Sequence, residues 1–126
     1  MSQNQSFENL DVFQKAYKAS LALHKKSLGF PKIEQCALAD QIRRSSKSVC
    51  ANIAEGYARR GSSVKEFQRF LFIAIGSSDE TRVWLRYAMD LGYITEHEWT
   101  LWKKDYMDIS KMLNGLRRKA ASSSDP

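Results

Sequence analysis

The feature that most constrains the fold is a repeat of apolar and small residues at intervals of three and four. It is sharpest between positions 38 and 56, where its members are Leu38, Ile42, Ser45, Val49, Ile53 and Gly56. This spacing places side chains on one face of an α-helix. Because several members are small, we expect a neighbouring helix to approach this face closely.

The same period occurs in an earlier segment, so two helices are predicted in the first half of the chain. The first is predicted at Leu10–Leu28, with Asn9 as its N-cap and Gly29 as its stop signal. The second is predicted to begin near Glu34. Gly61 follows its last apolar residue and is predicted to adopt the left-handed conformation that ends many helices.

Two more helices are predicted from capping boxes. Ser63 and Glu66 have the Ser-x-x-Glu spacing, and Thr95 and Glu98 have the equivalent Thr-x-x-Glu spacing. In a capping box, the hydroxyl and the carboxylate each accept a hydrogen bond from a backbone N–H at the start of a helix. The third helix is therefore predicted to start near residue 63 and end at Gly92, as the longest of the four.

These four segments predict one compact domain. The chain has 126 residues, is 43% hydrophobic and contains only two prolines. Long uninterrupted helices with short connections favour an all-α fold, specifically an antiparallel up-down-up-down four-helix bundle. The domain is predicted to span residues 1–126, with disordered tails at about residues 1–6 and 119–126.

Positive charge is concentrated in one window of the sequence. Residues 41–69 carry +5 of the net charge of +6. Such a surface could neutralise the phosphates of RNA or DNA, or it could be a solvated face or a set of ion pairs between subunits. A second basic cluster, at Lys103, Lys104, Lys111 and Arg117 to Lys119, is also compatible with a diffuse positive surface. The candidate nucleic-acid-binding residues are Arg43, Arg44, Lys47, Arg59, Arg60 and Arg69.

No residue pattern predicts catalysis, a metal site or a cofactor. Neither His24 nor His97 follows a glutamate by three residues, as di-iron bundles require. The two cysteines form no Cys-x-x-Cys pair, and glycine-rich phosphate loops are absent. We therefore expect a protein that is not an enzyme, unless a convergent polar pocket appears in the structure.

Localisation is predicted from the cysteines and the N-terminal sequence. Cys36 and Cys50 are predicted to lie on one helix, about 21 Å apart, as core thiols of a reducing compartment. The first ten residues lack the features of a signal peptide, and no run of eighteen apolar residues occurs. A cytoplasmic protein without a membrane segment is expected.

Polar and aromatic side chains supply two further expectations. Ser48, Asn52 and Glu55 are predicted to form a structural polar network, with contact to a ligand as the alternative. Phe72 and Tyr87 flank the apolar stripe of the third helix rather than lying in it. Large apolar surface should therefore remain exposed, which favours self-association.

Several stretches resemble the 23S rRNA intervening-sequence protein family, also called four-helix-bundle proteins. The clearest are QIRRSSKSVCANIAEGYARR at Gln41–Arg60 and KEFQRFLFIAIGSSDET at Lys65–Thr81. The stretches FENLDVFQKA at Phe7–Ala16 and LGYI at Leu91–Ile94 extend the resemblance over nearly the whole chain. The matching motif positions are Gln41, Ile42, Arg43, Arg44, Asn52, Ile53, Ala54, Glu55, Gly56, Glu66, Phe67, Phe70, Leu71, Gly76 and Ser77.

The resemblance implies a bacterial four-helix bundle that assembles into a ring-like homopentamer and has no assigned activity. It also implies similarity in fold to the accessory variability protein of diversity-generating retroelements, a basic pentamer that binds nucleic acid. This chain departs from the family pattern at Cys50, where many members have proline. It also departs near Ser78 and Thr81, where many have leucine, so the packing of that face of the third helix is in question.

Two functions follow from these observations. The first is a homo-oligomeric bundle, without enzymatic activity, that contacts RNA or DNA through its basic surface. The second is a purely structural or protein-scaffolding oligomer, in which the same arginines form salt bridges between subunits and an unidentified protein is a possible partner.

Overall fold

The computed structural model describes residues 6–123, which form four helices joined by short connections. The helices are α1 (Asp11–Ser27), α2 (Leu38–Arg59), α3 (Val64–Asp90) and α4 (Glu96–Ser123). Single 3-10 turns precede α1 and α2 at Phe7–Asn9 and Lys32–Glu34. No β-strand occurs in this part of the chain, so the all-α prediction is confirmed.

The helices form a ring in which each packs against two others. α2 packs on α1 and α3, and α4 packs on α3 and α1. Because the connections are short, sequential neighbours run antiparallel, and the predicted four-helix bundle is confirmed. Its centre contains fully buried side chains from α2, α3 and α4, among them Ile42, Ile53, Leu71, Leu85, Ile109 and Leu113.

Small residues bring α2 and α3 close together, as the spacing in α2 predicts. A Cβ atom placed on Gly56 would lie 2.8 Å from the Cβ of Phe70, which is closer than two carbon atoms normally approach. Further along the same contact, the buried Thr81 hydroxyl donates to Ser45 Oγ at 2.9 Å. The glycine and these short polar side chains therefore set the distance between the two helices.

The departure from the family pattern on α3 changes the bonding but leaves the face buried. Ser78 and Thr81 are both fully buried. Ser78 donates to the backbone carbonyl of Tyr106 on α4 at 2.9 Å, and the single Thr81 hydroxyl proton is shared between Ser45 Oγ and the carbonyl of Ser77, which is 2.8 Å away. Because buried hydroxyls with partners avoid the cost of desolvation, this face packs through hydrogen bonds.

Several predicted helix ends are wrong by a few residues. Asn9 belongs to the first 3-10 turn, and α1 begins after Leu10, which provides no side-chain cap. α2 begins at Leu38 rather than near Glu34, because the second 3-10 turn takes up the start of the predicted segment. The Glu34 carboxylate accepts from the Leu38 backbone N–H at 3.3 Å.

The two glycines predicted to end helices behave differently. Gly92 has a φ of +81°, and the backbone N–H of Tyr93 donates to the carbonyl of Ala88, which closes a Schellman motif after α3. Gly61 does not have a positive φ. The end of α2 is closed instead by the backbone N–H of Ser63, which donates to the Arg59 carbonyl at 2.9 Å.

The end of α4 differs from the prediction, because the helix continues through Ser123 rather than ending near residue 119. With 28 residues it is one residue longer than α3, so the prediction that α3 is the longest helix is wrong. The remaining predicted tail positions, residues 1–5 and 124–126, lie outside the described residues. No helix within residues 6–123 is long and apolar enough to cross a membrane.

Candidate nucleic-acid interface

The six candidate cations fall into two groups at opposite ends of the bundle. Arg43 and Arg59 are 16 positions apart on α2, and at 1.5 Å per residue this corresponds to about 24 Å along the helix. We call the end formed by residues 28–37 and 91–95 the clamp end. The end formed by residues 60–63 and 117–123 is the hairpin end.

Arg43 lies near the clamp end and is turned inward. Its guanidinium donates to Ser27 Oγ at 2.8 Å, to the Gln35 backbone carbonyl at 2.8 Å and to Gln35 Oε1 at 3.3 Å. Gln35 in turn donates to the backbone carbonyls of Ser27 and Phe30. Arg43 therefore fastens the α1–α2 connection to α2, and its donors are already used within the fold.

Arg44 and Lys47 lie on the outer surface of α2. Both are exposed, and Arg44 has no hydrogen bond or ion pair with the described residues. The Lys47 ammonium donates to His24 Nδ1 on α1 at 3.0 Å, so His24 is the neutral acceptor. Desolvation, followed by the charges of Lys47 and Arg43, lowers the pKa of His24. Arg44 and Lys47 precede Arg59 by 15 and 12 positions on α2, so both lie away from the hairpin end.

Arg59 and Arg69 meet on a single aromatic ring at the hairpin end. Their guanidinium carbons lie 4.7 Å and 4.6 Å from the centroid of Phe70. Arg59 is also paired with Glu55 at 2.9 Å, and Arg69 with Glu66 at 3.2 Å. The ring and the carboxylates hold both guanidiniums in place while leaving them 41% and 56% exposed.

Arg60 is positioned in a similar way on the other side of the turn. Its guanidinium lies 3.7 Å from the centroid of the Tyr57 ring and donates to the Tyr57 backbone carbonyl at 2.8 Å. The side chain of Lys119 on α4 lines the same shallow depression of about 380 Å³. The end of α4 therefore adds positive charge to the α2–α3 turn.

The cations at the end of α4 also lie at the hairpin end, although they are far from residues 41–69 in the sequence. Gln68 on α3 donates to the Arg117 backbone carbonyl at 3.2 Å, and the Arg117 guanidinium lies 4.4 Å from the Phe72 ring centroid. Antiparallel order supplies the signal that was missed, because α4 must end where α3 begins. The hairpin cluster is therefore Arg59, Arg60, Lys65, Arg69, Arg117, Arg118 and Lys119.

Few carboxylates oppose this cluster. Glu55 and Glu66 are on its surface, and Asp11 at the start of α1 lines a groove with Lys119. Lys65 and Arg118 are exposed and have no hydrogen bond or ion pair within residues 6–123. The hydrogen bond and charge of Arg69 lower the pKa of Glu66, so this carboxylate is ionised at neutral pH. The cluster still has a clear excess of positive charge.

The structure joins two of the three residues of the predicted polar network. Asn52 Nδ2 donates to the backbone carbonyl and the hydroxyl of Ser48, at 2.8 Å and 3.0 Å. The Ser48 hydroxyl also bonds to Ser77 on α3 at 2.9 Å. Glu55 lies outside this network, because its exposed carboxylate pairs with Arg59 instead. The network therefore links α2 to α3 at a half-buried position.

The described residues provide no arrangement for metal binding, since no group of three or more His, Cys, Asp or Glu side chains converges among them. The cysteines also differ from the prediction. Cys36 is exposed and precedes α2, so the two thiols do not share one helix. Cys50 is half-buried, and burial raises the pKa of its thiol to about 11. A thiol with such a pKa is a poor nucleophile at neutral pH.

Comparison with known proteins identifies the family of this chain. The family model of the 23S rRNA-intervening sequence protein matches residues 8–115. The chain belongs to this family. Among curated proteins, no significant match is found.

One solved structure is similar to this chain over most of its length. It is the crystal structure of a protein with unknown function from the S23 ribosomal protein family, from Bacteroides thetaiotaomicron VPI-5482. The two chains are 26% identical, with a TM-score of 0.74, and the alignment covers 84% of this chain and 97% of the other. The shared fold extends to nearly all of the S23 family protein.

The motif that carries the family resemblance has structural roles in this chain. Arg43 fastens the α1–α2 connection, Ile53 is fully buried, and Gly56 permits the close approach to Phe70. None of the seven hairpin-cluster cations is among the matching motif positions, although Arg59, Arg60, Lys65 and Arg69 lie within the two stretches that carry the resemblance. Family membership and the candidate interface are therefore supported by different residues.

Proposed function

We propose that this protein is a homo-oligomeric four-helix bundle of the cytoplasm, without enzymatic activity, whose hairpin cluster binds the phosphate backbone of RNA or DNA. The observation that supports this most directly is the convergence of seven cations from α2, α3 and α4 at one end of the bundle. Four of its arginines rest on aromatic rings of α2 and α3, as described for Phe70, Tyr57 and Phe72. The two free thiols are consistent with a reducing compartment.

The arrangement suggests how phosphate would be bound. Ion pairs between exposed side chains contribute little to stability, so a phosphate can replace Glu55 at Arg59 or Glu66 at Arg69 at small cost. The Phe70 ring keeps both guanidiniums oriented during this exchange. Because no base-reading groove is required, we expect binding that depends strongly on salt and weakly on sequence.

The test is retention of a structured RNA and of a DNA duplex as a function of salt concentration. The double variant Arg59→Gln/Arg69→Gln should weaken binding of both and reduce the slope of log affinity against log salt by about 2, one for each lost phosphate contact. The control is Arg86→Gln/Lys104→Gln, which removes two exposed cations that are likewise paired with carboxylates four residues away.

Two results would overturn this proposal. One is the absence of binding by the wild-type protein at low salt. The other is an equal loss of affinity in the Arg59→Gln/Arg69→Gln variant and in the Arg86→Gln/Lys104→Gln control, which would indicate a diffuse response to net charge.

Homo-oligomer formation is supported by the outer face of α3. Phe72 and Tyr87 are 57% and 55% exposed, as the sequence predicts, and Ile73 and Val83 are also exposed on the same helix. Exposed apolar patches of this kind commonly mark interfaces between subunits. We infer that α3 contributes to the subunit contact, and family resemblance suggests a pentamer.

Light scattering of the purified protein tests the assembly. Val83→Lys with Tyr87→Lys should reduce the molar mass of the particle, whereas Leu28→Lys, at an exposed leucine just after α1, should leave it unchanged. A monomeric wild-type protein would exclude the oligomer, and an unchanged mass in the α3 variant would place the interface elsewhere.

A structural or protein-scaffolding oligomer is the second candidate. It is favoured by the carboxylates already paired with Arg59 and Arg69, because the same pairing could extend across subunits. The two candidates predict different exposure of the hairpin end in the assembly. If oligomer formation protects the arginines there from modification by phenylglyoxal, the scaffold is favoured and the phosphate site is lost.

A further inference from the structure

A groove between α1 and α2 lies away from the hairpin cluster and has no part in the proposed function. Its volume is about 390 Å³, which is within the range of small-molecule sites. The residues that line it are Tyr17, Ser20, Leu21, His24, Lys47 and Cys50.

The groove is apolar at one end and basic at the other. Tyr17 and Leu21 form the apolar part and are 55% and 43% exposed, although each has a large hydrophobic side chain. Ser20 contributes little polarity, because its hydroxyl is turned inward and donates to Ser46 Oγ at 3.1 Å. His24 and Lys47 form the other end.

The basic end lacks a counter-charge. None of the lining residues is acidic, and the only side-chain partner of Lys47 among the described residues is the neutral His24 ring. The charge of Arg43 also reaches His24. A half-open groove with one unneutralised ammonium beside exposed apolar side chains complements a ligand that has both properties.

We propose that this groove binds a small molecule that carries one anionic group on an apolar body. The anion accepts from Lys47 and the apolar body covers Tyr17 and Leu21. A ligand carboxylate is a stronger acceptor than the imidazole Nδ1, because a hydrogen bond between two charged groups is stronger than one to a neutral acceptor. Binding also places the ligand against Cys50, which lines the groove.

The two cysteines allow the site to be tested with unmodified protein. Cys50 is in the groove and Cys36 is exposed outside it. The rate at which iodoacetamide alkylates Cys50 at alkaline pH therefore reports bound ligand, and the rate at Cys36 reports the general reactivity of the reagent. Peptide mass spectrometry gives both rates. Octanoate should slow alkylation of Cys50 and leave Cys36 unchanged. The matched neutral probe, octanamide, should require an about fivefold higher concentration for the same protection.

Substitution of Lys47 separates the charge from the apolar contact. In Lys47→Met, octanoate should protect Cys50 no better than octanamide. Lys18→Met is the control, because Lys18 is on the same helix as Tyr17 but lines the groove between α1 and α4 instead. It should behave as wild type with both probes.

Four outcomes would overturn the proposal. The anion site would be excluded if octanoate and octanamide protected Cys50 equally in the wild-type protein. It would also be excluded if octanoate protected Cys50 in Lys47→Met as well as it does in the wild type. Protection of Cys50 that rises with protein concentration in the absence of octanoate would show that a second copy of the chain covers the groove. No protection by millimolar octanoate would exclude the ligand class.

Discussion

The two ends of the bundle use arginine and glutamate in opposite ways. At the clamp end, Arg43 directs its guanidinium into the fold, where Ser27 and Gln35 accept its hydrogen bonds. The capping box of α4 at this end is complete. Thr95 N–H donates to the Glu98 carboxylate at 2.9 Å, and Glu98 N–H donates to Thr95 Oγ1 at 3.0 Å.

At the hairpin end, the corresponding groups face solvent. Glu66 N–H donates to Ser63 Oγ at 3.1 Å, but the Glu66 carboxylate turns outward to Arg69 instead of completing the capping box. The difference teaches that a charged residue type alone does not predict a binding surface. A charged side chain is available to a ligand only when its partners are exposed groups that the ligand can replace. A side chain whose partners are buried within the fold is not available.

The largest effect that this comparison predicts is that of Arg43→Gln. The substitution removes three hydrogen bonds from a charged donor and leaves acceptors on the buried Ser27 and the half-buried Gln35 without it, so we expect a loss of about 3 kcal/mol in the free energy of unfolding. Urea denaturation measures it. Arg44→Gln, one residue further on the exposed surface, should change stability by less than about 0.5 kcal/mol. Equal losses in the two variants would refute the clamp.

The next largest effect is that of Gly56→Ala, which tests how tightly α2 and α3 pack near the hairpin end. The new Cβ would meet the Phe70 Cβ at 2.8 Å, and we expect destabilisation by about 2 kcal/mol from overpacking. Gly76→Ala on α3 is the control, because its added methyl group meets no neighbour. It should stabilise by about 1 kcal/mol through helix propensity. A neutral Gly56→Ala would mean that α2 and α3 separate easily.

The two capping boxes should respond differently to removal of their glutamates. Glu98→Ala removes the acceptor of the Thr95 N–H and should cost about 1 kcal/mol at neutral pH, whereas Glu66→Ala should cost less because the Glu66 carboxylate pairs with Arg69 at the surface instead. The Thr95 N–H lowers the pKa of Glu98, so its contribution is present above its ordinary pKa of about 4.5 and is lost as pH falls through the lowered value. Denaturation at neutral and acidic pH measures both. Equal effects of the two substitutions would remove the distinction between the ends.

The helical framework was predictable because it depends on local periodicity and capping. The spacing of Ile42, Val49 and Ile53 is sufficient to predict the buried face of α2, and Thr95 with Glu98 is sufficient to predict the start of α4. Helix ends were less predictable. Gly61 shows why, because a backbone hydrogen bond from Ser63 ends α2 without the positive φ that glycine permits.

The candidate site was predictable only in part, because charge in a sequence window does not specify direction or distance. Arg43 and Arg59 belong to one window but lie at opposite ends of α2, and only the Ser27 and Gln35 partners reveal that Arg43 is turned inward. Arg117 lies far from that window in sequence but next to Gln68 in space. Long-range placement of this kind follows from antiparallel topology rather than from composition.

The smallest predicted effect is a gain of affinity when the carboxylates of the hairpin cluster are neutralised. Glu55 and Glu66 compete with phosphate for Arg59 and Arg69, so Glu55→Gln/Glu66→Gln should tighten retention of RNA and DNA by about two- to fivefold at low salt. The control is Glu96→Gln, which removes one exposed carboxylate next to the clamp end and so raises the net charge by one. Its effect on affinity gives the part of the gain that comes from net charge alone. The salt slope should stay close to the wild-type value, because the same two arginines contact phosphate in both proteins.

The direction of this change discriminates between exchangeable and fixed ion pairs at the hairpin end. If the carboxylates merely occupy the guanidiniums until phosphate arrives, their neutralisation strengthens binding. If they are needed to hold Arg59 and Arg69 over Phe70, the same substitutions weaken binding, because the guanidiniums lose the orientation that the ring alone does not supply. Weaker binding would therefore show that the hairpin end, like the clamp end, depends on hydrogen bonds closed within the fold, and the contrast between the two ends would fail.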